Sequence, residues 1–64
     1  MKALSSAEIV AVRELAGASQ AVTASFLNVA VSTVRQWERG ERRPNGAALK
    51  LLHVVKGRGI EALR

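Results

Sequence analysis

The sequence has 64 residues and a net charge of +5, ten Lys and Arg against five acidic residues, so one small, strongly basic domain spanning residues 1–64 is expected. It has no cysteine, which excludes disulfides and thiolate metal sites. A chain of this size buries only about 60% of the surface its unfolded form exposes. Its apolar residues are mainly alanine, with one Phe and one Trp, so the core must be thin and made of small elements packed closely.

No apolar run approaches the roughly 18 residues of a membrane span. The Lys2 start lacks the apolar stretch of a signal peptide, so a cytoplasmic location is expected and no membrane partner. Asp and Tyr are missing as well as Cys, and His53 is the single histidine, so neither catalysis, nor a metal, nor a cofactor is expected. Up to residue 34, Lys2 and Arg13 balance Glu8 and Glu14. The whole excess of positive charge follows, from Arg35 onward. That asymmetry suggests a face for a polyanion, either nucleic acid or an acidic membrane.

Taken in chain order, the punctuation predicts short helices. Ser5-Ser6-Ala7-Glu8 fits a capping box that starts the first. Ile9, Val12, Leu15 and Ala16 give it one apolar face, and Gly17 is a natural left-handed stop. Ser19 is a good cap for a second helix, Gln20 to Leu27, closed by Asn28, the kind of residue that tolerates positive φ. A third helix, Ala30 to Arg39, sets Val34 and Trp37 on one side and Ser32, Arg35, Gln36 and Arg39 on the others, and Gly40 ends it. Two short helices joined this tightly have the grammar of a helix-turn-helix, at about residues 19–39. The loop Glu41-Arg42-Arg43-Pro44 is basic and stiffened by proline. Asn45 can cap a fourth helix, Gly46 to Lys56, whose broad apolar surface suggests a central position. Gly57 and Gly59 are expected to break it, leaving Ile60 to Arg64 as a fifth helical turn. The expected fold is all-α, with five short helices.

The residues Ser19, Gln20, Ala24, Leu27 and Val29, followed by Thr33, Val34, Trp37, Glu38, Gly40, Arg42 and Pro44, stand at spacings that resemble the lambdoid-repressor (XRE/Cro-CI) type of helix-turn-helix. The run from Pro44 through Leu52 is most similar to HigA-type antitoxins. Independently of the resemblance, Ala24 is small enough to let the second and third helices cross closely. Val29, Val34 and Trp37 would then seat the third helix, freeing its opposite face for a major groove about 12 Å wide.

The resemblance implies base reading by Val31, Ser32, Thr33, Arg35 and Gln36, with Gln36 suited to an adenine edge and Val31 to a thymine methyl. It implies phosphate contacts from Gln20, where the family uses a glutamine at the start of the second helix. Arg39, Arg42, Arg43 and Asn45 would meet the backbone across the groove. An ion pair between Arg13 and Glu38 is implied in the same way. Thr23 and Phe26 depart from the family pattern, so Phe26 either turns inward or is exposed. His53 is expected at the surface or boundary.

The function expected is that of a sequence-specific duplex-DNA-binding transcriptional regulator. It would act as a homodimer on a palindromic operator, with Ile60 and Leu63 as the candidate dimer surface. The HigA resemblance implies an autorepressor that is the antitoxin of a type II toxin–antitoxin module, with a toxin of the HigB or RelE type as partner. No toxin-wrapping arm is legible in these 64 residues, so any such arm is expected to lie outside them. The alternatives are a prophage or plasmid repressor without a toxin and, from another class, a basic amphipathic membrane-surface or protein-interaction module. Capped short helices argue against the membrane reading, because membrane-surface helices usually run longer with one lysine-rich face.

Overall fold

The computed structural model describes residues 3–58 and contains, among them, four helices and no strand: α1 (Ser6–Leu15), α2 (Gln20–Leu27), α3 (Val31–Glu38) and α4 (Gly46–Arg58). The expected fifth helical turn, with Ile60 and Leu63, lies outside the described residues.

Local chemistry sets most boundaries. At the start of α1 the Ser5 hydroxyl accepts from the Glu8 amide at 3.2 Å while the Ser5 amide donates to the Glu8 carboxylate at 3.1 Å. Two donors that a helix start leaves orphaned are thereby satisfied. Ser19 caps α2 by accepting from the Val22 amide at 3.0 Å. The C-terminal ends of α1, α2 and α3 share one hydrogen-bond pattern. Ala18 N–H reaches the Arg13 carbonyl at 3.1 Å, Val29 N–H the Ala24 carbonyl at 3.0 Å, and Glu41 N–H the Gln36 carbonyl at 2.9 Å. Each is the six-to-one bond of a Schellman closure, which needs a left-handed residue just before the donor. Gly17, Asn28 and Gly40 supply it, with φ of 68°, 57° and 77°.

The core gathers Leu4, Ile9, Val12, Leu27, Val34, Trp37, Leu52 and Val55 with the small Ala16, Ala18 and Ala24. Ile9, Val34 and Leu52 are its most completely buried larger side chains, each worth about 1.5–3 kcal/mol of burial. Packing runs mainly between α2 and α3, α1 and α3, and α1 and α4. Ala24 is buried in α2, and its lack of bulk admits the close approach of α3. Pro44 is buried as well and anchors the loop after α3 to the core.

Three expectations are corrected. Leu15, assigned to the apolar face of α1, is 80% exposed; α1 presses on α3 and α4, and no other element covers its last turn on that side. Gly57 does not break α4, which continues through Arg58. A glycine inside a helix costs about 1 kcal/mol relative to alanine but meets no steric bar. Nor is α4 central, since α1 is its principal neighbour among the described residues while α3 is packed by both α1 and α2. Phe26 is half-buried against the core, beside a Thr23 that is buried. His53 is half-buried.

Candidate nucleic-acid interface

Burial of Val34 and Trp37 fixes the rotation of α3 and thereby chooses which side chains look outward. Ser32 and Arg35 are exposed, Gln36 is half-exposed, and Arg39 at the C-cap is exposed. Val31 and Thr33 flank this arc and are half-buried, Val31 lying against the core. Beyond α3, Arg42, Arg43 and Asn45 are exposed on the loop that Pro44 anchors. The expected base-reading and phosphate-binding positions of α3 and the following loop are thus brought onto one continuous segment of surface.

Behind that surface sits a polar cluster. Arg13 on α1 donates twice to the Glu38 carboxylate, from Nε at 2.6 Å and from Nη2 at 3.1 Å. Its third nitrogen, Nη1, donates to the Ala18 carbonyl at 3.1 Å, tying in the turn after α1. The two side chains are only 18% and 8% exposed. A bidentate guanidinium–carboxylate pair has a fixed geometry, so it pins the end of α3 to α1. Burial pushes the Glu38 carboxyl up, but hydrogen bonds from Arg13 and Gln20 and the Arg13 charge outweigh it and hold the group below its ordinary value of 4.5. The Glu38 hydrogen bond in turn raises Arg13 above its ordinary value.

Gln20 was expected to hold a phosphate, yet its carboxamide is engaged within the protein. Nε2 donates to Glu38 at 3.1 Å, and Oε1 accepts from Arg35 Nε at 3.4 Å. Sequence spacing offered only one hint of this, the placement of Gln20 seven residues after Arg13. Arg39 is occupied as well, by a solvent-exposed pair with Glu41 at 3.2 Å, a contact of the kind worth about 0–1 kcal/mol and readily exchanged. Among the described residues, Arg35, Arg42 and Arg43 have no carboxylate at salt-bridge distance. A further link that sequence did not suggest joins Lys56 on α4 to Glu8 on α1 at 3.3 Å.

A cavity of about 190 Å³ lies between the start of α1 and the loop after α3, floored by Leu4, Ile9 and Trp37 and rimmed by Ser5, Arg42 and Arg43. It is smaller than the roughly 300 Å³ at which small-molecule sites begin. Among the described residues no helix is long and apolar enough to cross a membrane. An outward recognition helix, a clamped base and a neighbouring arginine loop define a helix-turn-helix with a DNA-facing side.

Comparison with known proteins agrees. Residues 9–55 match the family described as Helix-turn-helix, and the chain belongs to that family, in its XRE, lambdoid-repressor type. It is similar to Antitoxin HigA-2 of Vibrio cholerae serotype O1, being 41% identical over 49 residues, which are 77% of this chain and 47% of that protein. The chain therefore spans about half the length of the curated relative it matches. No solved structure matches it.

Proposed function

We propose that the chain is an operator-binding transcriptional repressor that docks α3 in the major groove and acts as a symmetric homodimer. The observation that carries this reading is the division of α3, whose Val34 and Trp37 are buried while Ser32, Arg35 and Arg39 face solvent with Gln36 among them. Ser32 and Gln36 stand at the middle of the outward arc and are the principal base readers, with Val31 and Thr33 contacting bases from its flanks. Arg42, Arg43 and Asn45 bind phosphates and set the docking angle. A single short helix reads too little sequence for specific affinity, whereas two copies with their recognition helices about 34 Å apart reach successive major grooves. Ile60 and Leu63 are the sequence's candidates for the dimer contact.

The likeness to Antitoxin HigA-2 supports a finer role, autorepression by the antitoxin of a toxin–antitoxin pair. Co-expression with the product of an adjacent small reading frame tests that role: rescue of growth and co-purification of the two chains are expected, and their failure leaves a repressor without a toxin.

The DNA reading is tested on an operator duplex selected from a random library, measured beside an unselected duplex. Gln36→Ala is expected to cost about 1–3 kcal/mol on the operator and almost nothing on the unselected duplex, while Arg43→Ala weakens both alike. Equal losses for Gln36→Ala on the two duplexes would show that α3 does not read bases through this face.

A further inference from the structure

Arg35 is chemically able to read guanine or to grip a phosphate, and its surroundings discriminate between the two. At about 100° per residue along a helix, Arg35 lies roughly 80° round α3 from the midpoint of Ser32 and Gln36. The direction of that offset is fixed by its contact, because Arg35 Nε donates to Gln20 Oε1 at 3.4 Å and Gln20 is the first residue of α2. The contact is long and exposed, so it orients the guanidinium without locking it. Gln20 itself is less free, since its Nε2 is held by Glu38 at 3.1 Å. Glu38 in turn is fixed by the two bonds from Arg13. A continuous chain of hydrogen bonds thus runs from the buried ion pair through Gln20 to a surface arginine.

Charge completes the picture. The Arg13 and Glu38 charges neutralise each other, and Gln20 is neutral, so the network leaves the Arg35 charge uncompensated. With Nε turned toward Gln20, the two terminal nitrogens are the donors left for a ligand.

We propose that Arg35 is a phosphate clamp on the flank of α3 that faces α2, and that Gln20 is the positioning residue that turns it away from the base edges. The proposal rests on the DNA-binding reading above and refines it: specificity falls to Ser32, Gln36 and their flanking neighbours, and the phosphate contact expected of Gln20 passes to Arg35.

The test uses the full chain, with the selected operator and the unselected duplex as probes, and thermal melts to show that each variant is folded. Arg35→Ala is expected to weaken both duplexes by the same factor and to reduce the slope of log affinity against log salt by about one. Arg35→Lys, which keeps the charge, is expected to restore most of that loss on both. In a Gln20→Ala background, Arg35→Ala should cost less than in the wild type. A loss confined to the operator would make Arg35 a base reader and overturn the clamp. Strictly additive losses for the two substitutions would overturn the positioning role of Gln20. A wild-type chain that binds neither duplex fails the repressor reading itself, a result distinct from both.

Discussion

Two buried polar residues with opposite degrees of satisfaction frame the residue scale. Thr23 is 6% exposed, and its hydroxyl oxygen has no hydrogen-bond partner among the described residues. An unsatisfied buried hydroxyl forfeits its bonds to water. Thr23→Val keeps the shape and removes the polar atom, so it is expected to stabilise the fold by about 1 kcal/mol, read as a rise of about 5 °C in Tm. Glu38, by contrast, is fully engaged, and its folded-state pKa is held below its ordinary value of 4.5. The folded state therefore binds fewer protons than the unfolded state in the acidic range. The resulting stability is complete above the ordinary value and disappears as the pH falls through the lower, folded one. Glu8, hydrogen-bonded to the Ser5 backbone and to Lys56, is lowered as well and acts in the same direction. Glu38→Gln is expected to cost about 2 kcal/mol at pH 7, between the values typical of exposed and buried pairs. It should also flatten the loss of stability between pH 5 and about pH 3, as urea midpoints across that range would show. An unchanged acid profile in the variant would mean that Glu38 does not carry the linkage.

Elements begin and end where short-range chemistry says they should, which is why this layer was legible. Ser5 with Glu8, and Ser19 alone, announce helix starts because the capping bonds span only three residues. Gly17, Asn28 and Gly40 announce stops because the Schellman closure needs one left-handed residue. Long-range facts were less visible. Leu15 has the right period for a core residue, yet burial depends on which neighbour covers that side of α1. The hydrogen bonds of Gln20 to Glu38 and Arg35 link positions 18 and 15 residues away, which no local pattern encodes. Gly57 misled for a different reason: glycine terminates a helix only when the chain adopts the left-handed turn there. Asn28 tests the legible part. It holds φ 57° and ψ 45° between α2 and α3, a conformation costing a non-glycine residue roughly 1–2 kcal/mol. Asn28→Gly should be neutral or slightly stabilising, whereas Asn28→Val should lower stability by about 1–2 kcal/mol, and chemical denaturation of the pair measures both. Loss of DNA binding by folded Asn28→Val would further tie this turn to the angle between the two helices.

At the scale of the molecule, the net charge of +5 becomes a count of usable cations. Arg13 is neutralised within the protein and Arg39 is shared with Glu41, which leaves Arg35, Arg42 and Arg43 as the unpaired arginines of the proposed DNA face. Each phosphate neutralised releases counterion and contributes about 0.9 to the slope of log affinity against log salt. One copy with three such contacts gives a slope of about −2.7, whereas a dimer with six gives about −5.4, so doubling the salt should weaken a dimer complex about 40-fold and a monomer complex about 6-fold. The difference lets oligomeric state be read from binding alone, with sedimentation of the complex as an independent count of chains per operator. A slope near −5 with two chains bound is the expected result. A slope near −3 with one chain bound would place the chain on DNA as a monomer, and the palindromic operator with its paired half-sites would then have no basis.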